Sequence, residues 1–105
     1  MTHYRVVLVT APVQEAKTIA KKVVEERLAA CVNVVPKVES YYIWEGKLEE
    51  DSEALLIIKT VGHNLDALEK RVKELHSYDV PEFIAIQVQE GSEEYLSWID
   101  NVVKK

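Results

Sequence analysis

"ACVNVVPKVESYYIWEGKLEEDSEALLIIKT", residues 30–60, holds two long β-rich runs separated by Glu45-Gly46. Valine, tyrosine, isoleucine and tryptophan crowd the first run, and such side chains suit a pleated, half-buried strand. Gly46 takes positive φ without a steric penalty, so Glu45-Gly46 fits a two-residue hairpin turn. That turn sets a register in which Trp44 faces Lys47. Each step back on one strand then matches a step forward on the other, until Cys31 meets Thr60. Pro36 has no N–H to give a ladder, which puts the first strand at a sheet edge or at a bulge. The second run alternates or is polar at first and becomes continuously apolar over 55–58. Such a strand is exposed near the turn and buried at its far end.

The flanking sequence supplies the rest of the fold. "YRVVLVTAP" (4–12) predicts a strand over about 5–10, stopped by Pro12. Ala16, Ile19, Ala20, Val23, Val24 and Leu28 recur at helical spacing, with lysines and glutamates on the opposite face. After the hairpin, Leu65, Leu68, Val72 and Leu75 predict a second helix over about 64–76, and "FIAIQVQ" (83–89) a last strand. Ser92 is the expected N-cap of a final helix, with Glu93 and Glu94 in its first turn and Leu96, Ile99 and Val103 pointing inward. The order β-α-β, β-α-β, then a helix predicts one α+β domain over 1–105. Its fold class is a ferredoxin-like split βαβ-βαβ antiparallel sandwich, strand order 4-1-3-2, with a long hairpin and an extra C-terminal helix.

The hairpin is too long for such a body. Strands of about fifteen residues at ~3.3 Å each reach roughly 50 Å. A sphere matching the ~13 Å radius of gyration of a ~100-residue domain is only about 33 Å across. A lone two-stranded ribbon is marginal in water, and this one carries Tyr41, Tyr42, Ile43 and Trp44 near its tip. Other copies of the chain are the economical cover, so the expectation is an oligomer.

Composition narrows the function classes. Hydrophobic residues make up 48% and charged residues 30%, so the chain is globular rather than disordered. The net charge is -5 and the basic residues are scattered, which leaves no footprint for nucleic acid. No run approaches the ~20 apolar residues of a membrane span, and the apolar run after the N-terminus is too short for a signal peptide. One cysteine, Cys31, excludes an intrachain disulfide and a Cys-rich zinc knuckle, and it fits a reducing, cytoplasmic setting. With three glycines there is no glycine-rich phosphate cradle, and no Walker loop, G-x-G-x-x-G or H-E-x-x-H occurs. The expectation is a non-enzymatic protein.

"ERLAACVNV" (26–34), "YYIWEGKLEED" (41–51), "LIIKT" (56–60), "LHSYDVPE" (75–82) and "YLSWI" (95–99) together resemble the CutA family of divalent-cation tolerance proteins. The resemblance runs through nearly all of the chain. It implies a ferredoxin-like subunit, a homotrimer built through the long hairpins, kinship with PII-like signalling proteins, and a link to copper and other divalent metal ions. The family commonly reads His-Pro-Tyr where this chain has His76-Ser77-Tyr78.

Three residues are the candidate metal ligands: Cys31, His76 and Glu82. Each has a plainer reading beside it. Cys31 is a small buried residue at a strand start or a soft copper ligand. His76 serves the C-terminal dipole of the second helix or offers an imidazole. Glu82 is a solvated carboxylate or an oxygen ligand. Topology puts Cys31 and the 76–82 segment at opposite ends of the sheet, so all three could join only across a subunit interface. The hairpin tip, with Tyr42 and Trp44, falls at the same end as 76–82, and a pocket framed by these two stretches is easier to build. The leading expectation is a cytoplasmic homotrimer binding copper or another divalent cation. Two others stand beside it. One is a PII-like trimer taking a small anionic effector, with Lys59 and the tip aromatics as contacts; the other is a scaffold trimer for a protein partner.

Overall fold

The computed structural model describes residues 3–105. Strand β1 (Tyr4–Ala11) leads into helix α1 (Val13–Glu25), then strands β2 (Cys31–Trp44) and β3 (Lys47–Val61) form the hairpin. A 3-10 turn (Gly62–Asn64) precedes helix α2 (Leu65–Leu75), followed by strand β4 (Ile84–Gln87) and helix α3 (Glu93–Val102). The sheet order is β2-β3-β1-β4 with every neighbouring pair antiparallel. This is the expected ferredoxin-like α+β arrangement.

Alternation explains the layers. Val7, Val9 and Ala11 of β1 and Ala54, Leu56 and Ile58 of β3 point to one face, where Ala16, Ile19 and Val23 of α1 and Leu68 and Val72 of α2 cover them. All of these side chains are fully buried. Helix α1 ends in a Schellman motif: Arg27 adopts φ 60°, and the Leu28 and Arg27 amides bond the Val23 and Val24 carbonyls at 2.9 and 3.0 Å. That cap turns the chain directly into β2. A forked ion pair from Arg71 to Glu26, at 3.0 to 3.1 Å, ties α2 to the same corner.

The opposite face is only half covered. Helix α3 packs Leu96 and Ile99, with Val103 at its C-cap, against Tyr4, Val61 and Ala30 at one end, and Ser92 caps its start by accepting the Tyr95 amide at 3.3 Å. Paired residues share a face, so Val6 and Leu8, Ile86 and Ile84, and Leu55 and Ile57 line the remainder. Ile84 and Ile86 are 52% and 48% exposed.

Glu45 and Gly46 both take positive φ, 50° and 79°, as the right-handed twist of a two-residue hairpin demands. The register from this turn runs as expected from Trp44 opposite Lys47 to Val38 opposite Glu53. There a bulge intervenes: Pro36 and Lys37 together oppose Ala54, and Val35 then pairs with Leu55. Cys31 consequently meets Lys59, one residue short of Thr60. The missing proline donor is accommodated twice over, by the bulge and by the edge position of β2. The molecule measures 44 × 25 × 23 Å, elongated along the ribbon as the hairpin length requires.

Candidate functional site

Within β3, β1 pairs over Ala54–Val61 alone, so from Glu53 to the tip the hairpin has no third strand among the described residues. On this bare ribbon Glu49, Asp51 and Glu53 follow one another at a period of two, on the same face as Leu55 and Ile57. Opposite them stand Tyr42, Ser40 and Val38. The chain between α2 and β4 folds over that face. His76 anchors it: its Nε2 donates to the Thr10 carbonyl at 2.8 Å, and its Nδ1 accepts the Tyr78 amide at 3.1 Å. Glu15 on α1 accepts the Ser77 amide at 2.9 Å; hydrogen bonding from the Ser77 side chain first, and from that amide second, holds the Glu15 carboxyl below its usual pKa. From this anchored turn the Tyr78 hydroxyl reaches Glu53 Oε2 at 2.8 Å.

The result is a cleft of about 890 Å³ between the ribbon tip and residues 76–82. Its walls include Glu49, Asp51, Glu53, Asp79 and Glu82, with Tyr41, Tyr42, Trp44 and Tyr78 beside them. No lysine, arginine or histidine lines it among the described residues. The electrostatics follow from this crowd of like charges. Glu82 is raised above the usual carboxylate range, first by burial and then by the charge of Glu53. Tyr42 is pushed up to about 12, chiefly because its hydroxyl donates to Asp51. Burial and the Glu53 hydrogen bond drive Tyr78 well above an ordinary phenol. Glu53 itself is only 5% exposed. Both tyrosine hydroxyls are held as donors to carboxylates, a poor arrangement for acid–base catalysis and a good one for keeping negative charge in place.

The pocket framed by 41–46 and 76–82 is thus where topology puts it, and Glu82 lies on its wall. His76 stands behind that wall, its side chain wholly buried and both ring nitrogens engaged. Cys31 sits at the other end of the sheet, half-buried, with Sγ 3.9 Å from Asn33 Oδ1 and 4.0 Å from Lys59 Nζ. Tyr95 of α3 is raised by burial and then by Cys31 beside it. The three candidates therefore do not meet within one subunit. Among the described residues no three histidine, cysteine or acidic side chains converge as a metal site. Sequence reasoning passed over Glu49, Asp51 and Glu53, although their two-residue spacing in a strand was a legible sign of a carboxylate row on one face.

Fold and cleft together define a class: a ferredoxin-like binding subunit with a projecting hairpin, a half-open sheet face and an acidic, aromatic cleft. The family model described as "CutA1 divalent ion tolerance protein" matches residues 5–102, and the chain belongs to that family. It is 55% identical over 95 residues to the divalent-cation tolerance protein CutA of Thermus thermophilus, covering 90% of this chain and 92% of the relative. Against the chloroplastic CutA 1 of Oryza sativa it is 52% identical over 101 residues, yet it spans only 57% of that protein's length. The solved structure of the Thermus thermophilus Cut A1 protein superimposes with a TM-score of 0.94 at 50% identity, covering 96% of this chain and 99% of that one.

Proposed function

We propose that the chain works as a cytoplasmic homotrimer that binds divalent cations, copper or another, in a binding rather than a catalytic role. The observation that carries the assembly is the half-open sheet face. Val6, Leu8, Leu55, Ile57, Ile84 and Ile86 form an apolar surface beside a ribbon whose Ile43 and Leu48 are 67% and 64% exposed. Surfaces of that kind are covered by another protein surface in soluble proteins, and copies packing around an axis cover face and ribbon at once. The acidic cleft supports the cation, as does the name of the relative from Thermus thermophilus.

In this reading Glu82 supplies an oxygen ligand from the cleft wall and Cys31 a soft sulfur from a neighbouring subunit, a pair suited to copper. His76 joins them only by releasing the Thr10 carbonyl or the Tyr78 amide. A small anionic effector fits less well, since the cleft walls carry no basic side chain among the described residues. Light scattering of the purified protein, with calorimetric copper(II) titration of the parent and of Cys31→Ser, His76→Ala and Glu82→Gln, tests both parts. A trimer mass, with weaker binding in Cys31→Ser and Glu82→Gln, is expected. A stable folded monomer overturns the assembly; parent-like binding in all three variants overturns the ligands.

A further inference from the structure

Two weaknesses of the hairpin fall on one residue. Support from β1 ends at Ala54, and the bulge of Pro36 and Lys37 opposes that same Ala54. Beyond it runs a two-stranded ribbon, an element with little stability of its own, and a bulge bends and twists the strand that carries it. A hinge belongs at this point. Glu53 opposite Val38 is the first pair past it, and there the ribbon is tied back to the body. The Tyr78 hydroxyl donates to Glu53 Oε2 at 2.8 Å, and Glu53 is buried.

Tyr78 is itself held from behind. Its amide donates to His76 Nδ1, and His76 Nε2 donates to the carbonyl of Thr10, next to the end of β1. Glu15, in the first turn of α1, accepts the Ser77 amide and lies 3.8 Å from His76 Nδ1. No hydrogen bond or ion pair joins Glu15 to the ribbon among the described residues. The tie therefore begins on the helix layer and ends at the hinge. It restrains the ribbon closely. A glutamate carboxyl stands roughly 4 Å off its strand, so a ~10° bend moves it about 0.7 Å, enough to stretch this bond past the ~3.0 Å limit for O–H···O. The same ~10° carries the tip, roughly 20 Å further out, by about 3.5 Å.

We propose that residues 76–78 are a strut through which helix α1 sets the angle of the ribbon, with Glu15 acting at a distance through Ser77, His76 and Tyr78. Glu15 and Tyr78 are positioning residues, and neither needs to touch a ligand. Every residue of the strut belongs to one subunit, so it acts with or without neighbouring copies. In a trimer it fixes the angle at which each ribbon meets the next subunit.

Hydrogen–deuterium exchange of the full chain, compared over residues 38–53, β1 and α2 at one subunit concentration, tests it in Tyr78→Phe, Glu15→Ala and the double variant. A bond to a charged acceptor is worth about a factor of ten or more, so Tyr78→Phe should speed exchange over 38–53 about tenfold. Exchange in β1 and α2 should stay within about twofold of the parent, because the opening is local. Glu15→Ala should speed the same ribbon amides about threefold or more, and the double variant should exchange no faster than Tyr78→Phe alone, as residues acting in series do. Glu53→Gln keeps a side-chain oxygen for the phenol and should stay within about threefold of the parent. Ribbon amides unchanged in either single variant, additive effects in the double variant, or a rise shared equally by β1 and α2 would each overturn the proposal. Light scattering on the same samples reads the assembly separately, so a monomeric parent would refute the trimer while the exchange pattern still decides the strut.

Discussion

His76→Ala separates a structural imidazole from a metal-binding one, and its size follows from the geometry. The side chain has no exposed surface. Its removal strands the Thr10 carbonyl and the Tyr78 amide, which it bonds at 2.8 and 3.1 Å. Each lost bond is worth about 1 kcal/mol net, and a buried partner left unsatisfied costs about 1–3 kcal/mol. If a small rearrangement or an entering water rescues one of the two, the expected loss is about 2–4 kcal/mol. Urea unfolding at one fixed subunit concentration measures it, because an oligomer's apparent stability depends on concentration. The turn that presents Tyr78 to Glu53 should loosen as well, so tyrosine hydrogen exchange or fluorescence near the tip changes before global unfolding. A loss below about 1 kcal/mol, together with abolished copper binding, would refute the structural assignment and make His76 a ligand.

Three further outcomes are expected. Asp100 is held below the usual carboxylate range, first by the Tyr4 hydroxyl and also by His3 at 2.7 Å. A depressed folded pKa stabilises the protein above the unfolded value of about 3.9, and that contribution fades as pH falls through the folded value. Melting curves of the parent should thus converge on those of Asp100→Asn at low pH and separate above it; parallel curves throughout would contradict the link. Gly46→Val puts a β-branched side chain at φ 79° and should destabilise by more than the roughly 1 kcal/mol of a Gly-to-Ala strain, read by denaturant midpoint; an unchanged midpoint would rule out the turn assignment. Ile57→Asp, on the half-open face, should shift the light-scattering mass towards the monomer, and an unaltered mass would move the interface elsewhere.

Much of the architecture was legible because local signals agreed. The Glu45-Gly46 turn, the helical spacing of Ala16 to Val23 and Leu65 to Leu75, and the Ser92 cap each depend on neighbours a few residues away. The position of the cleft was legible too, since strand direction alone sends the tip and 76–82 to one end. What escaped were facts made by distant partners. The Cys31 register slipped because Pro36 is absorbed in a bulge, and proline only signals that something must yield there, not how many residues yield. Glu53 reads as solvated inside "EEDSE" until Tyr78, 25 positions on, folds over it. His76 offers both helix-end and ligand readings until the carbonyl of Thr10, 66 positions earlier, accepts a hydrogen bond from its Nε2. The extra helix was expected, but that it would cover only one end of the second sheet face rests on its length and on where β4 delivers it.

The bulge at Pro36 and Lys37 carries a mechanical consequence. Pairing on either side of it is already in register with an uninterrupted β3, so deleting one residue there would preserve both Cys31 opposite Lys59 and Trp44 opposite Lys47. A length change of one residue is invisible to the ladder. It is not invisible to the tip, because a bulge bends and twists its strand. From Glu53 to Lys47 the ribbon is a lever of roughly 20 Å. Straightening it by even ~20° would carry Trp44 about 7 Å from where it now stands, opening or closing the cleft mouth while every hydrogen-bonded pair stayed intact. Chain length at this one position is therefore a setting for cleft width, adjustable without touching any residue that lines the cleft.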